Sequence, residues 1–138
     1  VQCVDIDGGA AELTWSLRTI EGESLSGEDC QSARISKIRL CWNSVEDGDS
    51  GCRPGQFRDF ACEEENGVTL FEIPPGRAKF NVEPICLEGR PAAIGTYQGP
   101  PEIVRMVREA EVVTLAAFLI AVPEPKTCSG IECTCIRE

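Results

Sequence analysis

"LFEIPPGRAKFNV", Leu70 to Val82, sets two apolar-rich runs on either side of Pro74-Pro75-Gly76. Consecutive prolines lack the backbone N–H that a ladder needs, so a strand running into them stops at Ile73. Gly76 takes a backbone conformation that other residues resist, which lets the chain reverse. Beyond it, "RAKFNVEP" puts Ala78, Phe80 and Val82 on one face and Arg77, Lys79, Asn81 and Glu83 on the other. A period of two belongs to a strand with one face on a core and one in water. The stretch reads as strand, reversal, strand: scaffold rather than chemistry.

The same alternation recurs along the chain. In "AELTWSLRTI", Leu13, Trp15 and Leu17 alternate with Glu12, Thr14, Ser16 and Arg18. "KIRLCW" sets Ile38, Leu40 and Trp42 against Lys37, Arg39 and Cys41. Between these two runs, Ser26 followed by Asp29 can cap one helical turn carrying Cys30. "SVEDGDSGCRPG" is an acidic, Gly-rich loop. "QFRDFAC" and "VTLFEI" are short strand candidates, and Asn66-Gly67 between them readily takes the positive φ angles of a tight turn, so a hairpin is predicted there. "LEGRPAAIGTYQGPP" holds too much Gly and Pro for regular structure. "EIVRMV" and "EVVTLAAFLIAV" follow. The latter is apolar on both faces, so periodicity leaves helix and strand open, but Val112, Val113, Thr114, Ile120 and Val122 favour a strand. Seven or so short strands separated by turn signals describe a β-sandwich. The expected organisation is a lead-in over 1–9, the sandwich over 10–122, and a Cys-rich C-terminal tail, 123–138, packed on it.

At 138 residues the chain suits one domain, and a domain of this size buries roughly 68% of its unfolded surface. Hydrophobic residues make up 42% and charged residues 26%, an ordinary globular composition. The formal charge of -10, from 23 acidic and 13 basic residues, repels phosphate backbones and anionic lipid, so no nucleic-acid partner is expected. The longest apolar run, Val112 to Val122, falls short of the roughly 20 residues a spanning helix needs, so no transmembrane span is expected. The chain opens "VQCVD", without initiator Met or apolar leader, and any signal peptide is expected to lie outside it. Val1 and Gln2 do not give Cys3 the small-residue context of a lipid-bearing cysteine.

Nine cysteines, Cys3, Cys30, Cys41, Cys52, Cys62, Cys86, Cys128, Cys133 and Cys135, argue for an oxidising compartment: secreted, or at the periplasm or cell surface. Cys41 shares a face with Lys37 and Arg39, so it should not reach across the core, and Cys52 is its most convenient partner. Cys30 and Cys62 would tie the loop after the first strand to the strand ending "FAC". Cys86 is in phase with Phe80 and Val82 unless Pro84 introduces a bulge, which leaves its direction open. Cys3 is expected to pair with a tail cysteine. The odd count leaves one thiol, free or joining two chains into a disulfide-linked dimer. "CSGIECTC" can be read as a thiolate zinc site, but its spacing fits no familiar knuckle and disulfides are preferred.

The chain has no histidine, which removes the commonest general base and every Ser-His or Cys-His nucleophile pair. No catalytic residue, metal or cofactor is expected. "DIDGG" and "EDGDSG" offer alternating carboxylates, but counted from Asp47 the place of the bidentate Glu of a calcium loop is held by Arg58. Arg77 and Lys79 share an outer face, as do Lys37 and Arg39. Neighbouring strands would oppose like charges, so these two are expected not to pair, or acids such as Glu83 to intervene. Such charges read as a soluble surface, with a small basic patch for an anionic glycan as the sharper alternative. Trp15 and Trp42 lie on core faces, leaving Tyr97 as the aromatic for ligand contact.

The order of "LTWSL", a Cys in the next loop, "FAC", "IPPGRAKFNVE" and a final strand after "REAEVVTL" resembles small secreted proteins and lipoproteins of myxobacterial type. "IPPGRAKFNV" is similar to the Pro-Pro-Gly strand entry of carboxypeptidase regulatory-like and transthyretin-like domains, over roughly Ala10 to Val122. It departs from that pattern at Ala78, where an aromatic is usual, and in its cysteine-rich loop and tail. The resemblance implies an all-β, immunoglobulin-like/transthyretin-like sandwich of about seven strands, disulfide-stapled, with no catalytic residues to carry over. The functional expectation is a non-catalytic structural or interaction module at a bacterial cell surface, with a protein or glycan partner. The alternatives are a carbohydrate-binding module using Tyr97 and a hydrolase without histidine.

Overall fold

The computed structural model of the protein describes residues 7–23, 25, 29–47, 52–92, 96–123 and 133–135. Seven strands follow in order: β1 (Ala10–Thr19), β2 (Ile35–Ser44), β3 (Phe57–Ala61), β4 (Asn66–Val68), β5 (Gly76–Cys86), β6 (Ile103–Val107) and β7 (Val112–Val122). A single helical turn, α1 (Asp29–Ser32), carries Cys30. The strands form a three-stranded sheet, β4-β1-β7, and a four-stranded sheet, β3-β2-β5-β6. The architecture is the all-β, immunoglobulin-like/transthyretin-like sandwich. Strands β1 and β7 run parallel, and the other pairs antiparallel.

The alternation read in β1, β2 and β5 is the one the fold uses. Leu13, Trp15 and Leu17 from β1 meet Ile38, Leu40 and Trp42 from β2 and Ala78, Phe80 and Val82 from β5 in one core. Burying each large apolar side chain stabilises the fold by about 1.5–3 kcal/mol. The Trp15 indole N–H, which needs an acceptor once buried, donates to the Cys62 carbonyl at 2.9 Å.

Strand β7 shows why its sequence was ambiguous. Against β1, Glu12 faces Thr114 but Thr14 faces Ala117, so β7 carries one extra residue in between. This bulge breaks the period of two: Leu115 and Phe118 are both buried, with Ala116 and Ala117 exposed between them.

The predicted Asn66-Gly67 hairpin does not form. β3 belongs to one sheet and β4 to the other, and Asn66 and Gly67 are strand residues facing Thr14 and Leu13 of β1. The chain turns instead at Glu65, with φ of 62°, after a 3-10 turn over Cys62–Glu64. Gly67 is required by packing, since a Cβ there would lie 2.4 Å from the Phe60 ring. Nor is "VTLFEI" one strand. After Val68 the chain holds β1 through Thr69 N–H to the Ala11 carbonyl at 2.9 Å, then forms an isolated bridge between Ile73 and Gly9. Gly76, with φ of 127°, opens β5 as the reversal requires.

Disulfides join Cys30 to Cys62, Cys41 to Cys52 and Cys86 to Cys135. The first two are the pairs favoured by side-chain faces and loop positions. Cys86 faces the core, and the irregularity lies across the ladder in β2, between Ile35 and Lys37. Its bond to Cys135 seats residues 133–135 on the sandwich, where Thr134 and Thr96 exchange hydroxyl-to-carbonyl hydrogen bonds. Cys133 is also disulfide-bonded. Cys3 and Cys128, the Ser26 cap, Asp5 and Ile6 of the first acidic motif and residues 48–51 of the second lie outside the described residues. These disulfides point to an oxidising, non-cytoplasmic compartment. Among the described residues no helix is long and apolar enough to cross a membrane.

Replacing Gly67 by Ala should lower unfolding stability by about 1–3 kcal/mol through the clash with Phe60. Asn66→Ala, at an exposed strand position, should stay within about 0.5 kcal/mol of the parent. Urea titration of both variants checks this; equal losses would restore the turn role for the pair.

Candidate functional site

The outer face of the three-stranded sheet carries a groove. Register sets Val68, Glu12 and Thr114 side by side across β4, β1 and β7, with Asn66 beside Thr14 in the next row. With Leu13, Phe60, Glu64, Gly67 and Leu115 these residues line a cavity of about 650 Å³. Because Gly67 has no side chain, the Phe60 ring reaches the wall. The Thr114 hydroxyl donates to the Glu12 carboxylate at 2.6 Å. Two carboxylates and no Lys or Arg border the groove, so it favours neutral or cationic guests.

Val68 leads from the groove into a loop whose apolar side chains point outward. Val68, Leu70 and Phe71 are 54%, 64% and 44% exposed. The loop is fixed by its polar atoms. Gly9 and Ile73 exchange backbone hydrogen bonds at 2.9 and 3.1 Å, and the Leu70 N–H donates to the Glu72 carboxylate at 3.1 Å. That carboxylate also accepts two hydrogen bonds from Arg58, at 2.6 and 3.0 Å. Thr69 is buried, its hydroxyl oxygen accepting from the Ala11 N–H at 3.0 Å. Leu70 and Phe71 are therefore held out by a rigid frame. Reading "VTLFEI" as a strand hid them; the signal was two adjacent large apolar residues, which a half-buried strand cannot both bury.

The four-stranded sheet carries the charges. β2 and β5 do pair, and acids intervene: Arg39 faces Glu83, while Lys37 faces Ile85 and Lys79 faces Asn43. Arg39 is also bound by Asp59 through two hydrogen bonds, at 2.7 and 3.1 Å, and lies 4.0 Å over the Phe57 ring. Burial pushes the Glu83 carboxyl above its ordinary value, against the pull of Arg39. Tyr97 is half-buried against the core, and burial followed by the nearby Glu83 charge pushes its phenol up. It does not line the groove, and neither do Trp15 and Trp42, which are buried in the core. Among the described residues the grouping with metal-ligand proximity is Cys41, Cys52 and Glu83, and its two sulfurs are bonded to each other.

No protein-family model matches the chain, and no curated protein matches it. A solved structure to which it is similar is the minor pilin of the Gram-positive pathogen Streptococcus agalactiae, at 12% identity and a TM-score of 0.43. The alignment covers 91% of this chain and 50% of that one, so the chain spans about half the length of the pilin chain. Similarity of that order bears on neither family nor function.

Glu83, with its raised carboxyl, makes stability depend on pH. Its folded carboxyl sits above 4.5, so as pH rises past that value the unfolded chain ionises first and the fold loses stability. Glu83→Gln should therefore raise the melting temperature at neutral pH, with the gain fading below about pH 4 as both states become protonated. A loss at neutral pH would show that attraction to Arg39 outweighs burial.

Proposed function

We propose that the protein is a non-catalytic structural and interaction module of a bacterial cell surface, docking a protein partner through Leu70 and Phe71. The rigid presentation of these two side chains carries the reading. Large apolar groups exposed on a fixed loop are ready-made interface anchors, because little conformational freedom is lost when they are covered. The adjoining groove widens the contact, and the charge of -10 favours a partner of opposite sign. The absence of histidine and the position of Glu83 outside the groove support a role without chemistry. The disulfides fit an exported protein.

Labelled protein should be retained on envelopes of the producing bacterium, and Leu70→Asp with Phe71→Asp should release it at least tenfold, by about 1.4 kcal/mol or more. The melting curve should be little changed, since both positions are exposed. Equal retention of parent and double variant contradicts the reading.

Carbohydrate binding has an observation of its own, since Glu12, Thr14, Asn66 and Thr114 set hydrogen-bonding groups around the Phe60 ring. On a glycan array this reading expects reproducible binding that Asn66→Ala abolishes. Loss in Tyr97→Ala alone would move the site to the loop expected from sequence, and a silent array removes the reading.

A further inference from the structure

The three described bridges sit in different surroundings. Cys30, Cys62, Cys86 and Cys135 are each at most 2% exposed and belong to the core cluster. The Cys41–Cys52 bridge stands on the outer face of the four-stranded sheet, outside that cluster. Cys41, within β2, is fully buried, whereas Cys52, between the elements, is the one described cysteine that is not buried. An attacking sulfur can therefore approach this bridge from the Cys52 side. The other described sulfurs are shielded by packing.

Chain entropy points the same way. Cys41–Cys52 spans a sequence separation of 11, against 32 for Cys30–Cys62 and 49 for Cys86–Cys135. Loop-closure statistics alone make the short bridge contribute less to the folding equilibrium, by about fivefold and about ninefold relative to those two, so the fold loses least when it opens. Opening it also leaves the core intact, because neither sulfur contributes to it. Exposed bridges are the ones that exchange.

We propose that Cys41–Cys52 is a thiol-exchange site at which a low-molecular-weight thiol becomes attached to Cys52. The thiolate sulfur attacks Cys52 Sγ and forms a new S–S bond. The Cys41–Cys52 bond breaks, its electron pair leaves on Cys41 Sγ, and that sulfur takes a proton from water. The incoming sulfur is oxidised and Cys41 is reduced, so no further oxidant is required. Cys41 stays in place on β2 and can attack Cys52 again, expelling the small thiol and restoring the bridge. Cys52, a partly buried residue, suits a slender thiol better than the surface of a folded protein.

The test incubates the native full chain with excess glutathione at mildly alkaline pH, traps free thiols by alkylation and maps the peptides. Glutathione should appear on Cys52 and the alkyl label on Cys41, with Cys30–Cys62 and Cys86–Cys135 intact and the circular dichroism unchanged. The Cys52 adduct should appear before either other bridge opens, because the other sulfurs belong to buried residues. In Cys52→Ser, the native protein should take up no glutathione at Cys41 even when glutathione disulfide is supplied, because Cys41 is buried. First attachment at any other cysteine, simultaneous opening of all three bridges, or a Cys52 bridge that survives until the protein unfolds would each overturn the proposal.

Discussion

The antiparallel register of β2 against β5 is the constraint on which the rest depends. It places Trp42 opposite Phe80 and Leu40 opposite Val82, so the largest side chains of the two central strands of that sheet enter the core in matched rows. Side chains alternate strictly along a strand, so a slip of one residue would send these rows into water and bring Arg39 and Cys41 inside. Burial of the apolar rows therefore fixes the polar face as firmly as the core. Arg39 meets Glu83 and Asp59 because Leu40 and Val82 are where they are.

The cysteines divide along the same line. Those on the core side join elements that the sheets alone leave apart: Cys30 and Cys62 link the turn after β1 to the end of β3, and Cys86 holds Cys135 against the sandwich. Cys41, on the outer face, closes only a local loop. Core-side bridges restrain long stretches of the unfolded chain, and the outer bridge restrains a short one. One molecule thus carries two grades of disulfide, one structural and one open to exchange.

Most of the scaffold was legible because alternation is a local property. Leu13, Trp15 and Leu17, Ile38, Leu40 and Trp42, and Ala78, Phe80 and Val82 could be assigned to the core from neighbouring residues alone. The face of Cys41 followed from the same rule and led to Cys52. Features set by tertiary contact were less readable. Asn66-Gly67 carries turn chemistry, yet Gly67 answers to the ring of Phe60 and Asn66 to pairing with β1. The bulge of β7 is visible only against its partner strand. The groove and the Leu70–Phe71 anchor were hidden for the same reason, since both arise where β4 ends early and the loop is held by Gly9, Ala11 and Arg58.

The central claim is that one register divides core from surface and thereby decides which sulfurs can meet. Peptide mapping of the untreated, oxidised protein under non-reducing conditions tests it most directly. The account predicts Cys30 linked to Cys62, Cys41 to Cys52 and Cys86 to Cys135. Cys41 found bonded to Cys62 or Cys86 would place it on the core side of β2 and contradict the register from which everything else is built.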